Sequence, residues 1–290
     1  DEKMDLFECL HTLCRCYKAN VRGQYKPSPV AGIVVHSTGA NNPYLRRYVQ
    51  PSSVDKNYNA LIKKIGKNIN GNSWNNPVSE TCVHAFIGKL ANEQIGTAQI
   101  LPFDFACWGC ANGKNGSYNY APTRHLQFEI CEDSLKDKGY FDRAVKTEAV
   151  DFCVYLCKTF NLDVSKIVSH KEAHDLGYAS NHGDIDHWLN KFGYNMIDFR
   201  SWVSKKLKEE DKKDMIEFKV KSGKATTRKL LDALAELRSR ADDKKGSVIS
   251  VLPAGAEVTL IQHGILGYDC ILCEISNKQY IGYIKSEYIE

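Results

Sequence analysis

Residues 31–42 read AGIVVHSTGANN. The apolar, β-branched run Ile33-Val34-Val35 ends abruptly in His36, Ser37, Thr38 and Gly39, as expected of a buried strand that delivers polar side chains to the edge of a sheet. VHAFIGKL (83–90) and RHLQFEIC (124–131) are further strand candidates. Helical spacing follows over 141–160, where Val145, Ala149, Phe152, Cys153, Leu156, Cys157 and Phe160 share one side. NLDVSKIVSH (161–170) then returns to a β-branched run ending at His170, and MIDFRSWVSKKLK (196–208) reads as a closing helix. Strands alternating with helices predict an α/β fold. Between them, about 38–80 and 104–123 are rich in Asn, Gly, Pro and Tyr and read as long, function-bearing loops.

VSKKLKEEDKKD (203–214) changes composition sharply and reads as a charged linker, 203–215, separating a domain at 1–202 from one at 216–290. Downstream, IEFKVK, ALAELRSR, SVISVL, AEVTLIQ, YDCILCEI and QYIGYI are short alternating segments that predict a small all-β barrel. The 290 residues are 43% hydrophobic and 26% charged, which excludes global disorder. A net charge of +4, spread along the chain, gives no support for a nucleic-acid partner. No apolar run is long enough for membrane insertion, and DEKMDLFECL has no charged n-region followed by an apolar h-region, so synthesis in the cytoplasm without a signal peptide is expected.

Eleven cysteines, an odd number, exclude a complete internal disulfide framework and read mostly as small buried apolar residues. Cys107 with Cys110, and Cys270 with Cys273, have metal-knuckle spacing. The second pair lies on a predicted strand, where residues three apart point to opposite faces. The first pair lies in a loop that permits chelation.

His36 and His170 both close predicted strands, and ASNHGDIDHW (179–188) gathers His182, Asp184, Asp186 and His187. Imidazoles at strand ends with a nearby carboxylate are the parts of a catalytic zinc site with three protein ligands. HKEAH (170–174) offers a rival, helical pair in His170 and His174. However, Lys171 stands where a helical zinc protease needs its glutamate. Alternation in 124–131 places Gln127 and Glu129 on one face, and a carboxylate in mid-strand needs a cation, a metal site or a cleft beside it.

GIVVHSTGANN (32–42), VHAFIGK (83–89), LQFEICED (126–133) and VSHKEAHDLGYASNHGDIDHW (168–188), in this order, resemble the zinc-dependent N-acetylmuramoyl-L-alanine amidases of the type-2 family, which share their fold with the peptidoglycan recognition proteins. The resemblance covers about 5–200 and implies a central mixed β-sheet flanked by helices. It implies that His36, His170 and Asp184 ligate Zn2+, that Glu129 assists the hydrolytic water, and that His182 stands where many relatives place an oxyanion-stabilising Lys. The implied partner is peptidoglycan, cut at the amide between N-acetylmuramic acid and L-alanine, which places the action at the cell wall. Two positions depart from the family pattern: Val83 where many relatives have Tyr before the His matching His84, and Gly109 where many have His after the Trp matching Trp108. Trp74, Asn75, His84, Trp108, Tyr118 and Tyr120 are candidates for the substrate cleft, through ring stacking on sugars and polar contacts.

LAELRSRADDKKGSVISVLPAGAEVTLI (234–261) with YDCILCEISNKQYIGYIKSEYI (268–289) resembles a bacterial SH3-like domain, implying a module that holds the enzyme on the wall. Two rivals are a recognition protein of the same fold that binds without cutting, and a thiol hydrolase built on one of the cysteines.

Overall fold

The computed structural model describes residues 4–221, 226–229, 235–241, 247–265, 267–275 and 278–289. The chain divides into two units, 1–206 and 207–290. In chain order the first unit contains β1 (Leu6–Glu8), α1 (Arg15–Val21), β2 (Gly32–Ser37), α2 (Tyr58–Ile65), β3 (Ala85–Lys89), β4 (Ile95–Gln99), β5 (His125–Ile130), α3 (Lys138–Phe141), a π-helical turn at Asp142–Ala149, α4 (Val150–Phe160), β6 (Ile167–Ser169), α5 (His170–Asp175), α6 (Asp186–Lys191) and the start of α7 (Met196–Lys221).

The six strands form one mixed sheet in the order β1-β4-β3-β5-β2-β6. β3 and β4 pair antiparallel, whereas β2 lies parallel to both β5 and β6. Every residue of β2 and of β5 is buried, as expected of central strands covered on both faces. One consequence fixes the site: β2, β5 and β6 all finish at the same edge. His36 is in register with Glu129, and Val35 with Ser169, which sets His170 one step beyond. Ligand sites in such sheets form outside the carboxyl ends of the strands.

His170 opens a helix directly, so HKEAH is helical rather than the end of a strand. Ser169 accepts from the Glu172 backbone N–H at 3.0 Å and Glu172 Oε2 accepts from the Ser169 N–H at 3.0 Å, a reciprocal capping box. Arg200 of α7 grips Glu172 through two bonds of 2.8 and 2.9 Å and donates to Ile167 O, which locks the β6–α5 corner that carries His170. Trp188 of α6, fully buried against Tyr140 and Phe141, anchors the segment that follows Asp184. Truncating such an aromatic costs about 3–5 kcal/mol.

Two expectations change. The stretch 38–80 holds α2 and a 3-10 turn at Leu45–Arg47; Leu61 and Ile65, four apart, bury one helical face that the Asn-rich surroundings obscure in the sequence. IEFKVK (216–221) is helical, because α7 runs on through the charged 203–215 stretch, and extending a formed helix is far easier than nucleating a strand from period-two alternation. Residues 104–123 hold only isolated bridges, including Cys82 with Trp108.

Beyond α7, the second unit is a separate antiparallel sheet of β7 (Thr226–Lys229), β8 (Ala235–Arg238), β9 (Val248–Leu252), β10 (Glu257–Ile265), β11 (Tyr268–Ile275) and β12 (Lys278–Lys285), in the order β7-β10-β11-β12-β8-β9. Ala235, Leu237, Leu252, Val258, Ile271, Cys273 and Ile284 form its core. No helix among the described residues is long and apolar enough to cross a membrane.

Candidate metal centre

His36, His170 and Asp184 meet at the carboxyl edge of β2 and β6, their ligand atoms all within 4.8 Å of one another. His36 Nδ1 lies 3.1 Å from Asp184 Oδ2 and 3.0 Å from His170 Nδ1, and His170 Nδ1 lies 3.5 Å from Asp184 Oδ1. The histidines are almost fully buried, 1% and 5% exposed. Burial alone opposes protonation of His36, but its bond to Asp184 and the nearby carboxylates outweigh this and hold its pKa above the ordinary value. His170 goes the other way, burial keeping its pKa low. Burial also opposes ionisation of Asp184, yet the two imidazoles hold it charged, well below the usual carboxylate range.

This donor set fits a divalent cation. Two imidazole nitrogens 3.0 Å apart share at most one proton between them, and a carboxylate adds negative charge at the same point. Two histidines and one carboxylate are a common ligand set for catalytic zinc. The three line a cleft of about 880 Å³ together with Glu129, Glu132, His182, His187, Trp108 and Tyr120.

Glu129, in register with His36, is 8% exposed, and its Oε2 has no hydrogen-bond partner. Burial pushes its pKa up to about 8, with His36 opposing and Asp184 and Glu132 reinforcing the shift. His182 is exposed on the cleft wall, its ring 4.9 Å from that of His170. Trp108 lines the cleft and donates from Nε1 to Tyr25 Oη at 2.8 Å; Tyr120 lines it while stacked on Tyr25.

The other four cleft candidates lie elsewhere. Trp74 packs edge-on to Phe86 at 5.0 Å, within the apolar cluster of Leu45, Tyr48 and Phe86. Asn75 accepts from Leu13 N and donates to Gln50 O, tying segments together. His84 is buried, bonding Phe105 O through Nε2 and Gln127 N through Nδ1, and burial pulls its pKa down to about 4. Tyr118 is sandwiched between His125, 3.6 Å away, and Tyr178, 4.7 Å away. Each aromatic or polar loop residue has the same composition signal whether it faces the cleft or the core, so only the fold separates them. His174 bonds Ala179 O and stands outside the metal-ligand group. All eleven cysteines are buried free thiols. The Cys107–Cys110 pair splits between two clusters, Cys107 beside Cys14, Cys16 and Cys82, and Cys110 beside Val34 and Val168.

Ser37, Glu132, Asn119 and Ser180 carry no role in the sequence, and His187 is named there only as one of the polar residues gathered in 179–188. Glu132 is 4% exposed and accepts from Ser37 Oγ at 2.6 Å, with His187 Nε2 2.8 Å from the same oxygen. Glu132 raises the pKa of His187 against the opposing effect of burial. The signal was present for Glu132: it follows Glu129 by three, and the strand ends between them.

No protein-family model matches the sequence, and no curated protein matches it. Among solved structures, the chain is similar to the Staphylococcus aureus hydrolase AmiA in complex with its ligand, at 16% identity over 71% of this chain and 85% of that one, with a TM-score of 0.46. It is also similar to the catalytic domain of XlyA, at 18% identity over 69% of this chain and 99% of that one, with a TM-score of 0.42. The PlyG catalytic domain matches at 18% identity over 70% of this chain and 96% of that one, with a TM-score of 0.42.

Proposed function

We propose that the chain is a peptidoglycan hydrolase that cuts the amide between N-acetylmuramic acid and L-alanine, with His36, His170 and Asp184 holding a zinc ion. The observation that carries this is the convergence of these three side chains, 134 and 148 positions apart from His36, at one cleft wall. The substrate class comes from the four sequence blocks that resemble the zinc amidases. When bound, zinc supplies an electrophile for the amide carbonyl and lowers the pKa of adjacent water to about 7.

The protein's own groups would do the rest. Glu129 lines the cleft with its Oε2 buried and unpartnered, and its carboxylate would take a proton from water and return it to the leaving amine. His182 offers a ring N–H where negative charge develops on the substrate oxygen. Trp108 and Tyr120 present ring faces at the cleft for the apolar faces of saccharide or the stem peptide. The second unit would act as an SH3-like wall-binding module, raising the local concentration of the hydrolytic unit on an insoluble polymer. Glu129 favours hydrolysis over recognition alone, since binding has no need of a buried, unpartnered carboxylate. The test is mass spectrometry of purified wall digested with zinc-loaded and chelator-stripped protein. New L-alanine amino termini that appear only with metal are expected; a different cut bond, or cutting that survives complete zinc removal, refutes the reading.

A further inference from the structure

The CWGC loop has metal-knuckle spacing yet holds no cysteine pair at a common point, and its backbone faces the back of the metal centre. Asn119 Oδ1 receives two backbone N–H groups, Gly109 at 3.1 Å and Cys110 at 3.2 Å. Only an oxygen accepts from both, so the orientation of the Asn119 amide is fixed by the backbone. Gln127 lies 2.9 Å from that same oxygen and must therefore donate to it through Nε2, which turns its own Oε1 outward. That Oε1 is 2.8 Å from His36 Nε2, and an acceptor there requires a proton on Nε2. In the neutral imidazole the lone pair of His36 then sits on Nδ1, the atom that faces Asp184 and His170.

The same loop reaches His170. Ser180 N donates to Cys110 O at 2.8 Å and Ser180 Oγ donates to that carbonyl at 3.3 Å, leaving Oγ as the acceptor for His170 Nε2–H, 3.3 Å away. Gln127 is fully buried and Asn119 2% exposed, so water does not compete for these bonds. Gly109 completes the device: a Cβ there would stand 2.5 Å from Gln127 Oε1, so the absence of a side chain at this position is what admits the Gln127 amide.

We propose that the 107–119 loop, acting through Asn119, Gln127 and Ser180, sets the tautomer of both ligand histidines so that Nε2 carries the proton and Nδ1 faces the metal position. Asn119 and Gln127 are positioning residues, since they act through His36. Outer hydrogen-bond partners of metal-ligating histidines are worth 10- to 100-fold in metal affinity. The inference rests on the zinc reading for its purpose, but the tautomer itself is a property of the metal-free protein.

The test is long-range 1H–15N correlation spectroscopy of the metal-free full chain, at a pH where the imidazoles are neutral, alongside zinc competition against a chromophoric chelator. Nε2–H is expected on both histidines; Nδ1–H as the main form of His36 overturns the inference in the unmodified protein. Asn119→Leu should free the Gln127 amide to rotate, mix the His36 tautomers and weaken zinc binding about 10- to 100-fold. Asn119→Asp, which keeps an acceptor oxygen for the two backbone N–H groups, should retain the Nε2–H form and hold zinc within about threefold of the unmodified protein. A Leu variant with unchanged His36 signals and zinc affinity overturns the inference. If the unmodified chain shows the expected tautomers but binds no zinc, the function reading fails while the positioning device stands.

Discussion

Glu129→Gln separates the chemistry of the site from its stability. The substitution keeps shape but removes the charge and the proton-accepting ability. Loss of a general base slows turnover by about 10²- to 10⁴-fold, so at least a hundredfold fall is expected with zinc content unchanged. The same change should stabilise the metal-free protein at alkaline pH. Burial holds the Glu129 pKa at about 8 against an ordinary 4.5. Below the lower value the carboxyl is protonated both folded and unfolded and contributes nothing. As pH rises through that window the unfolded chain ionises first, so stability is lost progressively and the loss is complete above about 8. One pKa unit is about 1.4 kcal/mol, and a difference on the order of 2–4 kcal/mol is expected. With a shift of about 2–4 °C per kcal/mol, thermal melts of chelator-treated protein should show the variant ahead by roughly 5–15 °C at pH 9 and level at pH 4. Zinc should shrink the gap, since a cation beside Glu129 favours its ionised form. Turnover within threefold of the unmodified protein, or melts that differ equally at both pH values, would refute the reasoning.

Three further outcomes follow from the same structure. His36→Ala or Asp184→Ala should abolish stoichiometric zinc by metal analysis and, with it, the rise in melting temperature on adding zinc, which at a hundredfold excess over Kd corresponds to about 2.7 kcal/mol; a variant that keeps both dissolves the assignment. Glu148 accepts from Thr97 Oγ1 at 2.8 Å beneath β4, and burial raises its pKa to about 7. Its contribution likewise falls as pH rises from about 4.5 through 7, so Glu148→Gln should gain about 1–3 kcal/mol in urea melts at pH 8 and nothing near pH 4; equal gains at both would exclude ionisation as the cause. Removing residues 207–290 should leave cutting of small soluble muropeptides within about threefold while weakening sedimentation with intact walls by tenfold or more; unchanged sedimentation would remove the wall-binding role from the second unit.

Sheet chemistry was legible because its period is short. His36, Glu129 and His170 are each named by their place at or beside a strand end, and a parallel arrangement aligns such ends without further information from the sequence. Asp184 was legible only as one of several polar residues in a tight segment, and the family resemblance selected it. Trp74 and Tyr118 were misplaced for the opposite reason: an aromatic in an Asn- and Gly-rich loop carries no period, so core and cleft look alike until Phe86 or His125 is placed beside it. The helical course of 216–221 was hidden by a real period-two pattern that helix propagation overrides. Asn119 and Ser180 lay beyond reach because their role depends on backbone N–H and C=O groups, which every residue possesses and no composition reveals.

The cysteines bring this difference to bear on mechanism. A thiol hydrolase needs a reachable thiolate beside a base, whereas every thiol here is buried. The Cys14 pKa is drawn down to about 7 by its bond to Cys82, but that pair sits in an apolar cluster with Leu101 and Cys107 rather than on the cleft wall. Cys110 does line the cleft, yet burial raises its pKa, and its Sγ is bound into the Asn119–Gln127 network. Attack by that thiol would give up its bonds to Asn119 and Gln127. On the zinc reading proposed above, chemistry at this cleft runs through the imidazoles and carboxylates, and Cys110 belongs to the network behind His36.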